Sequence, residues 1–345
     1  MINLICRVLG VTIVIAVITA SGACGKSGDQ PASGGQQQQQ VITADGSSTV
    51  FPITEAVAEE FQKANAGTRV TVGSSGTGGG FQKFCRNETD VSNASRPIKA
   101  TELEACSKGG IDFIELPIAY DGLAIVVNPK NTWATSMTVA DLKKLWEPAA
   151  QGKVTRWNQV RPEWPNQEIH LFGAGVDSGT FDYFTEAIVG KEGQSRGDYT
   201  SSEDDNVIVQ GVSGDVNALG YFGYAYYEQN KDKLKLVPID DGDPANGTGP
   251  IAPSPETVGN GTYRPLSRPV FIYPKVKALD RPEVKSFVEF YLDKGPALVR
   301  EVGYIPLHAK EQELVRSRFA ARKTGTMFTG TDSHSQVTLE QRLTR

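Results

Sequence analysis

From Val41 onward the chain alternates short apolar runs with apolar residues at helical spacing. "VITADG" reads as a strand, and Ile53, Val57 and Phe61 then share one face of a helix predicted from Pro52 to Ala64. "RVTVGSSG" reads as a strand ending in a glycine loop, and "GGFQKFCRN" as a short helix. "IDFIELPIAYDGLAIVVNP" predicts two strands around a turn, "VADLKKLWEP" a helix and "IHLFGAG" a strand. In "DSGTFDYFTEAIVG", Phe181, Phe184 and Ile188 recur at helical spacing and Gly190 stands where a C-terminal cap belongs. "ALGYFGYAYYEQN" passes from a glycine turn to aromatic-rich structure, "KLKLVPI" and "RPVFIYP" are short strand-like runs, and the stretch from Arg281 gives one or two helices. The Pro-, Gly-, Asn- and Thr-rich segment from Val237 to Pro269 predicts a long surface excursion, and the residues after Lys323 a loose polar cover. This alternation predicts an α/β fold with mainly parallel sheets, whose ligands bind at the carboxyl edge of the strands.

The first residues follow another logic. Arg7 precedes the apolar run Val8 to Ala20, too short to span a bilayer comfortably and suited to a secretory signal peptide over residues 1–23. The small residues before Cys24 resemble a lipoprotein cleavage site, with Ser21 where lipoproteins usually carry Leu. Cys24 is the expected lipid attachment, plain secretion with an incidental Cys24 being the alternative, and the polar residues 24–40 a flexible tether. Of the four cysteines, Cys85 and Cys106 then remain in the folded part, where an exported chain is expected to join them as a disulfide; two buried thiols are the alternative.

Composition narrows the chemistry. A net charge of −5 argues against a nucleic-acid partner but says little about a small anion, which local dipoles can hold. His170, His308 and His334 are scattered, so no metal-ligand spacing arises. "GTGGGF" lacks the Lys-Ser/Thr pair of a phosphate loop, and "VDSGT" lacks the second copy that an aspartic protease needs.

Three places share one design. Ser47, Ser48 and Thr49, then Ser74, Ser75 and Thr77, then Ser178, Gly179 and Thr180 each follow a predicted strand and open a predicted helix. The first N–H groups of a helix lack internal partners and carry partial positive charge, and Ser or Thr hydroxyls add donors that rotate to fit. One such start reads as a cap. Three of them predict an oxyanion site.

The ordered stretches "DGSSTVFPITEA", "GSSGTGGGFQKFCRNETDVSNASRPI", "LPIAYDGLAIVVNPKN", "GVDSGTFDYF", "ALGYFGYAYY" and "VGYIPL" resemble the PstS-type phosphate receptors of bacterial ABC importers. The resemblance covers nearly all of the chain from Val41. It implies the type II periplasmic-binding-protein fold: two α/β lobes, each a mainly parallel sheet flanked by helices, joined by two crossover hinge strands around Leu123–Val127 and Val270–Tyr273. Lobe one would comprise residues 41–127 and 269–345, and lobe two residues 128–268. It further implies a receptor that takes inorganic phosphate to a membrane ABC permease, without cofactor or catalysis; the exported, lipid-anchored chain is expected to be a monomer.

Carried over by position, the resemblance implies phosphate contacts from Ser48, the Thr49 hydroxyl and the Val50 N–H, from Ser75 with Ser74 and Thr77 in reserve, and from Ser178, Gly179 and Thr180. Two departures stand out: relatives often place Asp where Arg96 stands and Arg where Ala174 stands. Arg96 becomes the expected clamp, because a guanidinium holds two anion oxygens in a fork. The missing Asp accepts the proton that hydrogen phosphate carries and sulfate lacks. A site of donors alone does not make that distinction, since discrimination needs an unmatched buried group costing roughly 1–3 kcal/mol. Asp45, Asp177 and Asp205 are the candidate acceptors, and Ser or Thr oxygens can also accept. Sulfate, phosphonate or arsenate binding, phosphate-ester hydrolysis, and an adhesin or sensor role are the alternatives. Hydrolysis would require a metal or an activated nucleophile, and no His lies near these loops in sequence.

Overall fold

The computed structural model describes residues 40–176, 178–328 and 337–344. The signal segment, Cys24 and Asp177 lie outside the described residues.

The chain begins with strict alternation: β1 (Gln40–Gly46), α1 (Phe51–Ala64), β2 (Thr68–Val72), α2 (Gly76–Cys85), β3 (Val91–Ala94) and α3 (Ala100–Lys108). The long strand β4 (Leu116–Val127) follows. A second run holds β5 (Met137–Thr138), α4 (Val139–Trp146), α5 (Trp157–Val160), β6 (His170–Ala174), α6 (Gly179–Phe184), β7 (Thr200–Ser202), α7 (Asp205–Gly214), β8 (Ala218–Gly223) and α8 (Tyr224–Gln229). The short elements β9 (Lys235–Leu236), β10 (Ile239–Asp240) and α9 (Pro255–Gly259) lead to β11 (Ser267–Pro274). Then come α10 (Pro282–Glu301), β12 (Ile305–Pro306), α11 (Ala309–Ala320) and α12 (Leu339–Leu343).

The principal sheet runs β2-β1-β3-β11-β4-β8-β6-β7, with β9 and β12 also on β4. Parallel pairs lie on both sides, β2-β1-β3 on one and β8-β6-β7 on the other. Between them β11 and β4 run antiparallel to each other and to their outer neighbours. The ligand edges of both parallel sets therefore belong to one continuous sheet.

β4 corrects the expectation of two strands around a turn. All twelve of its residues are buried, the first part pairing with β11 and Leu123–Val127 with β8. The Asp121-Gly122 pair reads locally as a turn, but Asp121 stands opposite Arg268 and Gly122 opposite Ser267 in the ladder. Burial on both faces overrides the local turn preference.

The helical readings follow burial. Ile53, Val57 and Phe61 are at most 2% exposed, and Phe61 meets the edges of Phe287 and Phe290 at 5.3 and 5.5 Å. Each such side chain contributes about 2–3 kcal/mol of transfer free energy. After Phe184 the helix continues as a π-turn through Val189 and ends at Gly190 in the left-handed region, φ 95°. Phe184 stacks on Tyr221 at 3.8 Å, fixing α6 against β8.

Two further readings change. The segment 237–269 is more than a surface excursion, because Val258, Tyr263 and Leu266 are at most 1% exposed and Tyr263 Oη donates to Leu123 O at 2.8 Å. The C-terminal residues also pack firmly: Leu339 and Leu343 are buried, and the Arg342 guanidinium lies 4.4 Å over the Phe328 ring. Cys85 and Cys106 are bonded, fastening the end of α2 to α3. Among the described residues no helix is long and apolar enough to cross a membrane, and no acidic, His or Cys cluster is arranged to hold a metal.

Candidate anion-binding site

The loop between β1 and α1 is drawn onto β3. Ser47 N–H donates to Asn93 O at 3.0 Å, and Gly46 adopts φ 143° where any Cβ would run into the Asn93 backbone. Ser47, Thr49 and Val50 are buried and Ser48 half-buried. The second loop lies beside the first, since Ser75 N–H donates to Gly46 O at 3.0 Å.

The third loop belongs to the other parallel set, yet it touches the first. Ser48 Oγ donates to Asp182 Oδ2 at 3.0 Å, and Thr49 Oγ1 donates to Gly179 O at 3.3 Å. A Cβ on Gly179 would lie 2.6 Å from Thr49 Cα, so glycine is what permits this approach. Ser178 caps α6 by accepting the Thr180 N–H at 3.2 Å.

The structure thus brings Ser48, Thr49, Gly179 and, one turn on, Asp182 into direct contact, with Ser178 and Thr180 on the same turn. It treats other expected residues differently. Val50 N–H is directed at Ser47 O, 3.2 Å away. Ser74 and Ser75 are exposed, and Ser75 Oγ is bonded to Asp45, which also holds Lys83 at 2.7 Å. Thr77 Oγ1 pairs with Ser95 Oγ at 3.1 Å, so it braces the loop that carries Arg96. Ala174 is a buried strand end, with its carbonyl accepting from Tyr199 Oη at 3.0 Å.

Arg96 places its fork on Glu102, Nη2 to Oε1 at 2.7 Å and Nη1 to Oε2 at 2.9 Å. Its side chain is only 20% exposed, and it lines a cleft of about 820 Å³ together with Tyr183, Glu186 and Arg268. A carboxylate therefore already occupies the geometry that an oxyanion would use.

Arg268 was not singled out from the sequence. It is the second residue of β11, lies 3.6 Å over the Tyr183 ring, and donates from Nη2 to Thr49 Oγ1 at 3.3 Å. Its Nη1 is 3.4 Å from Glu186, and its Nε stands 3.6 Å from Asp121, an ion pair too long for a hydrogen bond. Burial pushes the Asp121 carboxyl up to about 6 against the pull of Arg268. Tyr304 was also missed, although it lies within "VGYIPL"; its Oη donates to Thr49 O at 2.7 Å. Asp182 sits four residues after Ser178, a spacing that places it on the same helix face. That spacing is the signal that could have found it. Asp205 opens α7, where burial, then Asp204 and Glu203, push its carboxyl up to about 6.

Residues 30–294 match the family model of the PBP superfamily domain. The chain is 40% identical to the phosphate-binding protein PstS of Staphylococcus saprophyticus, over 84% of this chain and 86% of that one.

The chain belongs to the PstS-type family.

The chain is also 53% identical to protein SphX of Synechococcus elongatus, over 85% of both chains. A crystal structure described as a possible phosphate binding protein from Planctomyces limnophilus is 49% identical, with a TM-score of 0.78 over 83% of this chain and 99% of that one. The PstS-type architecture, two α/β lobes on a shared set of crossover strands, is the one described above. PstS-type proteins belong among the periplasmic substrate-binding components of transporters.

Proposed function

We propose that this protein binds inorganic phosphate between its lobes and delivers it to a membrane ABC permease. The observation that carries the reading is the meeting of Ser48 and Thr49 with Asp182 and Gly179, which sets two hydroxyl-bearing helix starts from different lobes face to face. An oxyanion gripped by both starts is held only when the lobes are together, so binding shifts the population toward the closed form that a permease can read. The proposed contacts are Ser48, Thr49, Val50, Ser75, Arg96, Ser178, Gly179 and Thr180, of which Val50, Ser75 and Arg96 would have to turn from Ser47, Asp45 and Glu102 to reach the anion. Ser74, Thr77, Asp45, Asp177 and Asp205 are secondary candidates, and Arg268 joins them as a second guanidinium beside Thr49.

In this reading lobe one comprises residues 41–127 and 269–345, and lobe two residues 128–268. Residues 1–23 direct export, Cys24 carries lipid, and residues 24–40 let a monomer reach its permease from the membrane surface. The protein acts as a carrier and performs no reaction. Equilibrium dialysis of the mature chain with labelled phosphate, competed by sulfate, tests the assignment. Saturable phosphate binding is expected, and failure to bind phosphate overturns it.

A further inference from the structure

Every side-chain hydroxyl and guanidinium at this site can donate to an anion, and donors alone accept sulfate as readily as hydrogen phosphate. Discrimination needs a fixed acceptor. Asp182 lies in the first turn of α6, its N–H donating to Ser178 O at 3.2 Å. Helical side chains lean toward the N-terminus, which returns this carboxylate toward the Ser178–Thr180 turn. Its Oδ2 accepts the Ser48 hydroxyl of the opposite lobe at 3.0 Å. Among the described residues it is the carboxylate that links the first loop to the third.

The rival acids are placed otherwise. Asp45 is taken up by Ser75 and Lys83, and Asp121 sits behind Arg268 in the strand ladder. Asp205 makes no side-chain hydrogen bond to the three loops among the described residues. Around Asp182 stand Arg268 from β11, Glu186 one turn further along, and Glu192 beyond the π-turn. Burial raises its proton affinity; Ser48 and Arg268 act against it and Glu186 with it.

We propose that Asp182 is the acceptor that receives the O–H of a protonated tetrahedral oxyanion and so selects phosphate over sulfate. This rests on the phosphate-binding reading above. With hydrogen phosphate, a carboxylate oxygen accepts the ligand's hydroxyl; with sulfate, two anionic oxygens would face each other with no proton between them. No proton need transfer and no bond breaks.

The test is calorimetric titration of the mature chain with phosphate, arsenate and sulfate at pH 8, for wild type, Asp182→Asn and Asp205→Asn. Wild type is expected to bind phosphate and arsenate, and sulfate at least about a hundredfold more weakly, the size of one unmatched buried polar contact. Asp182→Asn keeps an acceptor for Ser48 but adds an amide donor, so phosphate weakens and sulfate tightens, each by about tenfold. An unchanged phosphate-to-sulfate ratio in Asp182→Asn, or a collapse of that ratio in Asp205→Asn instead, overturns the proposal. Wild type binding both ions alike overturns it while leaving the phosphate reading intact. Wild type binding neither ion overturns both. Should Asp182→Asn fail to fold by circular dichroism, Asp182→Ser carries the same comparison.

Discussion

Arg268 on β11 and Thr49 in the loop before α1, 219 positions apart, meet guanidinium Nη2 to hydroxyl at 3.3 Å. The same hydroxyl donates to Gly179 O, and the Thr49 carbonyl accepts from Tyr304. Thr49 thus joins β11, the turn that opens α6 and the C-terminal region in a single residue.

Gly179→Ala separates closure from folding. Gly179 has no left-handed backbone, so alanine at the start of α6 is tolerated by the helix and stabilises it by up to about 1 kcal/mol. The added methyl meets the Thr49 backbone, so the lobes stay apart. Calorimetry is expected to show phosphate affinity lowered by about a hundredfold, about 2.8 kcal/mol, with an unchanged or raised melting temperature.

Arg96 and Arg268 should respond differently to truncation. Arg96 has Glu102 within 2.7 Å at a partly exposed position, so Arg96→Lys loses the fork and weakens phosphate by about tenfold with little loss of stability. Arg268→Ala strands Asp121, only 4% exposed, and costs about 3 kcal/mol in a urea denaturation series. Adding Asp121→Asn to Arg268→Ala is expected to recover part of that stability.

Asp121 also gives the pH profile a sign. Its folded carboxyl titrates at about 6, above the ordinary value of 3.8, so the native state holds the proton more tightly than the unfolded chain. Its stabilising contribution is complete below pH 4 and is lost as pH rises through 6. Unfolding free energy should fall across that window by about 2–3 kcal/mol from this group. Asp121→Asn should flatten the slope, and a wild-type profile rising through the same window after subtraction of the variant would refute the assignment.

The disulfide constrains the clamp as well as the fold. The ring from Cys85 to Cys106 encloses both Arg96 and Glu102. Replacing both cysteines by serine should lower stability by about 2–4 kcal/mol. Phosphate affinity should fall less than in Arg96→Lys, because the Arg96–Glu102 pair retains its own hydrogen bonds.

The parts legible in the sequence were those set by local periodicity. The apolar faces of α1 and α6 emerged because Ile53, Val57 and Phe61, then Phe181, Phe184 and Ile188, each fill a single core. The Ser/Thr-rich helix starts were visible because donors and glycines cluster within a few residues. Arg268, Tyr304 and Asp121 were not assigned a role, since each depends on strand pairing or docking across long separations. The Asp121-Gly122 pair misled for the same reason: its turn chemistry is local, while its partner on β11 lies far along the chain.

The position of β11 between β3 and β4 carries a consequence for biogenesis. The first three strands are synthesised early, but the strand that bridges β3 to β4 begins only at Ser267. A partly made chain lacks that bridge and cannot complete the first lobe. Contacts of such long separation form slowly, so the sheet stays unbridged until the last quarter of the chain has been made.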